Sequence, residues 1–312
     1  MKKITFLCLL IISLVITACG ALQSEAPAGS GMKTVVDANG NKVVIPAKPK
    51  RIVSLTLGTD ELLLDMVEPE RIIAVTSLAD DVGISHVVEK SKKIKNKIQG
   101  VPSAEQILAL KPDLVIIADW WSLNILDSLR EMNIPVYVYK TPYNVEAIKV
   151  SVEEVAGVVG EEKTGKALIA EMEKDLEKVR IYLANHKNES SKQILVLSTH
   201  GIIGGRGSLF ADMCRLTHIK NCLQDIPVGQ ATTLSKEMIL QANPDMILLT
   251  SWSAPGMKDV IELKEMLEDA SLQTVTAIKK QEVIPVAGNM VDCVSHYVTK
   301  EIYSLAEAVY HK

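Results

Sequence analysis

The hydrophobic pattern of the chain contains one long repeat, whose second copy begins 132 residues after the first. Residues 103–120 and 235–252 both begin with a serine and an acidic first turn, and both contain Pro-Asp followed by an apolar run. Seven of the eighteen aligned positions are identical. A serine N-cap with a carboxylate after it favours a short helix, and an apolar run without polar alternation is typical of a parallel strand covered on both faces. The repeat therefore predicts two similar α/β lobes, with one copy in each.

The rest of the pattern alternates strands and helices around these two copies, as in a doubly wound α/β fold. Asn39 and Gly40 separate two apolar segments and predict a hairpin near the start of the fold. Gly58 and Thr59 predict a turn ahead of a helix. The other elements of the first lobe are predicted at residues 51–55, 60–67, 71–75, 122–132 and 134–139. Those of the second lobe are predicted at residues 193–197, 209–216, 259–267, 282–285 and 294–311.

Two helical segments separate the lobes. Residues 144–159 predict a helix that ends at Gly160, and residues 161–185 carry apolar side chains at steps of three and four. A helix of about 25 residues spans roughly 37 Å and can join two lobes, although the periodicity also fits a long surface helix within one domain. The predicted architecture is two doubly wound α/β lobes, joined by a single long helix, with a ligand cleft between the lobes. Its parts are an N-terminal lobe, a helical connection and a C-terminal lobe, at residues 33–143, 144–190 and 191–312.

The start of the chain has the composition of an export signal. Two lysines precede an apolar run of about thirteen residues, too short to span a bilayer comfortably. The run ends in a small residue and Cys19, which resembles the lipobox of bacterial lipoproteins, although an ordinary secretory signal with an incidental cysteine fits as well. The resemblance implies that residues 1–19 are a signal peptide region with Cys19 acylated. Residues 20–32 are small and polar, as in a flexible tether.

Composition narrows the class of function. The net charge of −4 gives no reason to expect nucleic-acid binding, and the six histidines show no metal-binding spacing. Of the five cysteines, three remain when Cys8 is removed and Cys19 is acylated. At most one internal disulfide is then possible, and Cys214 with Cys222 either forms it or stays reduced.

The repeat also predicts where functional side chains lie. Ligands of open α/β sheets bind outside the carboxyl ends of the strands, where Trp120 and Trp252 follow equivalent strands. Trp121 is adjacent, so all three tryptophans of the chain belong to this region. Large aromatic surfaces suit a flat or partly apolar ligand, although each ring also fits a packing role at the top of its sheet. Glu105 and Glu237 lie in equivalent first turns, where a carboxylate either stabilises the helix or docks a basic partner.

Several ordered motifs carry a resemblance to a known family. They include PSAEQILALKPD at residues 102–113 and GSLFAD at residues 207–212, and the others lie at residues 49–55, 59–63, 134–138, 234–245 and 283–286. From about residue 34 to the C-terminus, the chain resembles the class III periplasmic binding proteins. These are the substrate-binding lipoproteins of bacterial ABC importers for ferric siderophores, haem and cobalamin.

The resemblance implies a function in capture and not in catalysis. The protein is expected to be an exported monomer, without an intrinsic cofactor, lipid-anchored at the outer face of the cytoplasmic membrane or in a periplasm. It would bind a metal chelate, a ferric siderophore first and a corrinoid or haem next, and deliver it to an ABC permease dimer with its cytoplasmic ATPase. Glu105 and Glu237 match the family's permease-docking glutamates. Loop residues expected to contact the ligand are Thr59, Trp120, Trp121, Tyr143, His200, Arg206, Trp252, Asn289 and Asp292, with Lys140 a further basic candidate.

Two other classes of function remain open at this point. A free-ion receptor for zinc or manganese needs histidines and carboxylates that converge on the cleft, and His86, His200 and His296 are the candidates. An enzyme of the metallocluster type would use His200 with Asp212 or Asp292 as acid and base. The sequence contains no nucleophile elbow or phosphate loop that supports the enzyme.

Overall fold

The computed structural model describes residues 31–121, 123–186, 192–198, 203–225, 234–251 and 258–310. The N-terminal lobe comprises β1 (Met32–Val36), β2 (Lys42–Pro46), β3 (Ile52–Ser54), α1 (Leu57–Met66), β4 (Ile72–Thr76), α2 (Val88–Ser91), β5 (Asn96–Ile98), α3 (Ala104–Ala109), β6 (Leu114–Ala118), α4 (Leu123–Glu131) and β7 (Val136–Tyr139). The connection comprises α5 (Val145–Val159) and α6 (Glu162–Asn185). The C-terminal lobe comprises β8 (Gln193–Ser198), α7 (Leu209–Leu216), β9 (Lys220–Asn221), α8 (Lys236–Ala242), β10 (Met246–Ser251), α9 (Lys258–Leu267), α10 (Thr276–Lys279), β11 (Val283–Ala287) and α11 (Val298–Tyr310).

Each lobe is built on one parallel sheet. The N-terminal sheet has the order β5-β4-β3-β6-β7, and the C-terminal sheet has the order β11-β10-β8-β9. The chain first adds β4 and β5 on one side of β3, or β9 on one side of β8, and then crosses to the other side of the starting strand. The crossing points lie between β3 and β6 and between β8 and β10. Such switch points open a crevice at the carboxyl ends of the strands, where ligands bind in this fold class. The predicted α/β architecture is confirmed, and β1 and β2 form the predicted hairpin.

The two copies of the repeat have the same structure. Ser103 and Ser235 cap α3 and α8 with nearly identical dihedral angles, and Gln106 completes a capping box in the first copy. Asp113 then accepts hydrogen bonds from the backbone N–H groups of Lys50 and Arg51, both at 2.8 Å. Asp245 accepts the equivalent bond from the Gln193 N–H at 3.0 Å. The repeated Pro-Asp therefore joins the start of β6 to β3, and that of β10 to β8.

Three hydrophobic cores explain the unbroken apolar runs of the strands. Along β6, Leu114, Ile116 and Ala118 belong to one core, whereas Val115 and Ile117 belong to another on the opposite face. In β10, Met246 and Leu248 join the first core, and Ile247 and Leu249 enter a third. The first core is shared by both lobes and includes residues of α1, α5, α6, α7 and α11. A continuous core across the connection disfavours a wide hinge motion between the lobes, because close-packed interiors resist deformation.

The predicted long helix exists, but it does not make the connection alone. At 24 residues, α6 is about 36 Å long, and it packs against α5 and α11. The preceding helix α5 contacts both α1 and α7, and its Val145 N–H donates to the carboxylate of Asp212 at 3.0 Å. Gly160 ends α5 in the left-handed conformation, with φ of 73°, as predicted. No helix within the described ranges is both long enough and apolar enough to cross a membrane.

Two local predictions from the sequence are wrong, and one alternative that the sequence left open is decided. Gly58 and Thr59 do not form a turn, because Thr56 caps α1 and the helix already begins at Leu57. The last helix begins at Val298, so residues 294–297 form a loop instead. Cys214, Cys222 and Cys293 are all free thiols, which decides the open question of a disulfide between the first two.

Candidate functional site

The repeat places Trp120 at the switch point of the N-terminal sheet. It follows β6 directly, beside β3, and its side chain is 64% exposed. Asp119 holds the turn, because its carboxylate accepts hydrogen bonds from the hydroxyl of Thr141 at 2.8 Å and from its N–H at 3.2 Å. An indole that is exposed on a braced turn presents a large apolar surface at the carboxyl end of β6.

Trp121 lies between the exposed indole of Trp120 and the hydrophobic core. The two indole rings stack with centroids 5.5 Å apart, and Trp121 packs against both cores of the N-terminal lobe. Its buried Nε1 has no acceptor among the residues that the structure describes. Trp121 therefore has the packing role that the sequence left open, and it also fixes the position of Trp120. Tyr143, three residues beyond Lys140, adds a further aromatic side chain that is more than half exposed.

Thr59 does not fit the predicted role in ligand contact. It is completely buried, and its hydroxyl lies 2.7 Å from that of Ser54 and 2.8 Å from that of Thr56. The side chain therefore secures the start of α1 against β3. A helical position that follows a glycine is easily mistaken for a loop position, because glycine is a turn signal in sequence.

The predicted ligand residues of the C-terminal lobe are only partly covered by the structure. Arg206 is exposed, and its guanidinium donates to the Asp225 carbonyl at 2.9 Å. Asn289 is half-buried, and its backbone N–H donates to the Gly83 carbonyl of the other lobe at 3.3 Å. Asp292 is exposed to solvent. His200, Trp252 and Cys19 lie outside the described residues.

Glu105 and Glu237 form a matched pair of exposed carboxylates. Each is the second residue of its helix, and each follows a serine cap of the same geometry. The Ser103 hydroxyl lowers the pKa of Glu105, and the Ser235 hydroxyl lowers that of Glu237, so both side chains are anionic at neutral pH. The repeat therefore presents one fixed negative charge on each lobe.

The junction of the lobes contains a buried polar cluster that the sequence did not predict. His86 of the N-terminal lobe lies between two carboxylates, with Nδ1 at 3.1 Å from Glu61 and Nε2 at 2.7 Å from Glu301. Cys293 lies at 3.9 Å from the same Nδ1, and the ring of Tyr297 stacks on the imidazole at 4.5 Å. Burial works to lower the pKa of His86, but hydrogen bonds to its three acceptors outweigh that effect and raise it to about 12.

His296 forms a second contact across this junction instead of joining His86. Its Nε2 lies 2.8 Å from Asp65, which also accepts hydrogen bonds from Tyr297 at 2.7 Å and from Lys90. Of the three histidines considered for a free-ion receptor, His86 and His296 therefore have different carboxylate partners. His200 lies outside the described residues. One feature of the sequence could have indicated this junction, namely the acidic residues within the otherwise apolar helix at residues 60–66.

This chain is similar in sequence and in fold to known proteins. A sequence profile of the family described as "Periplasmic binding protein" matches residues 52–287. The ABC transporter substrate-binding lipoprotein YvrC of Bacillus subtilis is 23% identical over 97% of this chain and 95% of its own length. The siderophore-binding lipoprotein YfiY of the same species, named as probable, is 30% identical over 59% of this chain and 57% of its own. The solved haem-binding protein RhuT of Roseiflexus sp. RS-1 has the same fold, with a TM-score of 0.71 and 22% identity over 84% of this chain and 98% of its own.

Proposed function

This chain belongs to the periplasmic binding protein family, and from that premise we propose that it is the substrate-binding component of an ABC importer. It captures a metal chelate between its two lobes and delivers the chelate to a membrane permease. The single observation that carries the proposal is the exposed Trp120, supported by Trp121 at the switch point of the N-terminal sheet. A large aromatic surface there suits a broad, partly apolar ligand.

A ferric siderophore is the first candidate for the ligand, and haem or a corrinoid follows. The siderophore-binding name of YfiY and the haem-binding name of RhuT support these two classes of chelate as candidates. Tyr143 and Arg206 are exposed polar groups able to contact an acidic chelate, and Asn289 and Asp292 belong to the loop that ends β11. Affinity would come from enclosure of apolar surface, with a few polar contacts that orient the ligand.

Docking to the permease is the proposed role of Glu105 and Glu237. Both carboxylates are exposed and anionic, and each follows a serine cap of similar geometry on an equivalent helix. Two like charges at matched positions suit a two-fold symmetric partner that carries basic side chains, and such complementarity sets register and encounter rate. Because one core runs through both lobes, release of the ligand would depend on a small displacement of the lobes by the permease.

The proposed function is transport and not catalysis. The protein would act as a monomer without an intrinsic cofactor, on the outer side of the cytoplasmic membrane, held there by acyl chains on Cys19. Two or three acyl chains anchor a soluble domain stably, since each buried CH₂ contributes about 0.8 kcal/mol. The cytoplasmic ATPase of the importer would supply the energy for uptake.

The direct test is calorimetric titration of the purified protein with a panel of ferric siderophores, haem and cobalamin. We expect one chelate to bind with 1:1 stoichiometry and a Kd of about 1 μM or below, which corresponds to about −8 kcal/mol. Quenching of tryptophan fluorescence by the same chelate would place it beside the indoles. If no chelate in the panel binds, the proposed ligand class is wrong.

A further inference from the structure

The junction of the two lobes brings together three side chains with metal-binding atoms. Glu61 lies on α1, His86 precedes α2 and Cys293 precedes α11. One ligand atom from each lies within 4.8 Å of the other two. Nδ1 of His86 is 3.1 Å from a Glu61 oxygen and 3.9 Å from the sulfur of Cys293. Glu61 and Cys293 are buried, and His86 is nearly so.

The two separations that involve Nδ1 of His86 are close to those in the shell of a tetrahedral metal ion. Zinc binds imidazole nitrogen and carboxylate oxygen at about 2.0 Å and thiolate sulfur at about 2.3 Å, so neighbouring ligand atoms lie about 3.3–3.6 Å apart. The observed separations of 3.1 and 3.9 Å lie on either side of that range. Three protein ligands with a fourth position left to water is an established arrangement for zinc.

A second layer of contacts orients the three ligands. Glu301 of α11 lies 2.7 Å from Nε2 of His86, which directs Nδ1 toward Glu61 and Cys293. A carboxylate on the distal nitrogen is the usual partner of a metal-binding histidine. The hydroxyl of Ser295 donates to the other oxygen of Glu61 and lies 3.6 Å from the sulfur of Cys293. The ring of Tyr297 stacks on the imidazole with an interplanar angle of 8°.

Cys293 lies at the outer limit of hydrogen bonding in this network, with its sulfur 3.9 Å from Nδ1 of His86 and 3.6 Å from the hydroxyl of Ser295. Nδ1 of a histidine carries at most one hydrogen, yet a carboxylate and a thiol both approach that single atom. A metal ion placed among the three groups would bond to all of them. We propose that Glu61, His86 and Cys293 bind one zinc-type transition-metal ion, which stays resident in the protein. Because Glu61 and His86 belong to one lobe and Cys293 to the other, the ion would fasten the lobes together.

This ion is distinct from the chelate that the protein is proposed to carry. Its proposed ligands are buried at the junction of the lobes, whereas the proposed chelate surface is the exposed indole of Trp120. Either proposal can therefore fail without the other. Chelate binding without zinc binding would overturn only the resident ion, and the reverse result would overturn only the chelate.

The experiment uses the purified full chain after treatment with a chelator, titrated with Zn²⁺ by calorimetry and with Co²⁺ by absorption spectroscopy. We expect 1:1 binding of both ions, a thiolate-to-cobalt charge-transfer band and a higher Tm with zinc. Cys293→Ser should abolish the band, whereas the control Cys222→Ser, which changes another cysteine of the same lobe, should keep it. Glu301→Gln should weaken zinc binding ten- to a hundredfold at unchanged stoichiometry, as expected of a positioning residue.

Several results would overturn the inference. They are the absence of 1:1 binding to the unmodified chain, a charge-transfer band that survives Cys293→Ser, or a band that Cys222→Ser removes equally. Circular dichroism must show that the Cys293 variant folds. If it does not, X-ray absorption of the zinc-loaded unmodified chain decides the question. One sulfur at about 2.3 Å with nitrogen or oxygen at about 2.0 Å supports the site, and a shell without sulfur refutes it.

Discussion

Asp65 of α1 and His296 of the C-terminal lobe are joined by a hydrogen bond of 2.8 Å, although 231 positions separate them in the chain. Both side chains are more than nine-tenths buried. Asp65 also accepts hydrogen bonds from Tyr297, the neighbour of His296, and from Lys90 of α2, so one carboxylate binds donors from two segments. Any motion that separates α1 from the segment before α11 must break these bonds. The junction therefore contributes both to stability and to the limited closure of the lobes.

Replacement of Asp65 by asparagine should destabilise the protein in a pH-dependent way. Burial opposes the charged carboxylate, but the donors His296, Lys90 and Tyr297 outweigh it and lower the pKa of Asp65 to about 2. Its contribution to stability is therefore present above the unfolded pKa of about 4 and is lost as pH falls through about 2. The variant should lose about 2–3 kcal/mol of unfolding free energy at pH 7.

Urea unfolding at a series of pH values measures this effect. The difference between the unmodified chain and Asp65→Asn should be constant near neutrality and should shrink below pH about 4. Other charged groups that line the adjoining cavity are Glu171, Asp175 and Lys300, and they are common to both proteins. The control Asp127→Asn changes an exposed carboxylate and should alter stability by less than about 0.5 kcal/mol. An equal effect of both substitutions would contradict the role of Asp65.

Arg71 should be among the costliest residues to truncate in the N-terminal lobe. Its buried guanidinium donates to the Pro49 carbonyl at 2.7 Å and to the Val159 carbonyl at 2.6 Å, and it pairs with Glu161. Arg71→Ala removes the guanidinium donor from both carbonyls and leaves Glu161 with Lys48 alone at 2.9 Å, and it should cost about 3–5 kcal/mol of unfolding free energy.

Arg71→Lys provides the conservative comparison, because it keeps the charge but not the planar fork of donors. It should recover only part of the loss. Arg180→Ala removes an exposed arginine paired with Glu177 and should change stability by about 1 kcal/mol or less. Thermal and urea unfolding of the three variants test the ranking, and full stability of Arg71→Ala would refute it.

The fold was predictable because its signals are local. Asp113 and Asp245 were visible as part of a repeat, and the structure shows why both are aspartates: each bonds the backbone N–H groups of the neighbouring strand. Capping serines, apolar runs and Gly160 act within a few residues of their own positions. Alternation of such elements is enough to predict two α/β lobes.

The junction was not predictable because its partners are distant in sequence. Gly58 was interpreted as a turn signal, whereas the structure places it inside α1, where an added Cβ would lie 2.9 Å from Val294 of the other lobe. The glycine permits a close approach that depends on how the lobes dock. The same docking brings Glu61 to Cys293. The sequence at residues 60–66 does not identify the distant side chains that pair with its carboxylates.

Trp120 should contribute to ligand affinity but little to stability. Its indole is 64% exposed, so Trp120→Ala removes little buried area from the folded state. If the ring contacts the chelate, the variant should bind about ten- to a hundredfold more weakly, a change of about 1.4–2.8 kcal/mol. Calorimetry with the chelate selected from the panel measures the change. Ile181→Ala, which truncates a comparably exposed apolar residue on α6, should bind normally, and unaltered affinity of the tryptophan variant would remove Trp120 from the site.

Glu105 and Glu237 should be needed for transport and dispensable for ligand binding. In the double variant Glu105→Ala, Glu237→Ala, both docking charges are lost, while the helices keep their serine caps and the exposed positions bury nothing. Chelate affinity should therefore stay unchanged, and stability should fall by only about 0.3–1 kcal/mol per first-turn carboxylate removed. Uptake of the chelate by cells that carry the importer should fall to background. Each single variant should retain part of the uptake, because the partner would still engage one lobe.

The matched control for this pair is Glu131→Ala with Glu265→Ala, which removes one exposed carboxylate from each lobe at positions outside the repeat. Both double variants change the net charge by the same amount, so a general electrostatic effect would impair them equally. Only a specific docking role predicts that the control imports normally while the first variant fails. Raised ionic strength in a reconstituted system should weaken association of the unmodified protein with the permease, since exposed charge pairs are screened beyond about 8–10 Å at physiological salt. Normal import by the variant that lacks Glu105 and Glu237 would show that these carboxylates serve only to stabilise their helices.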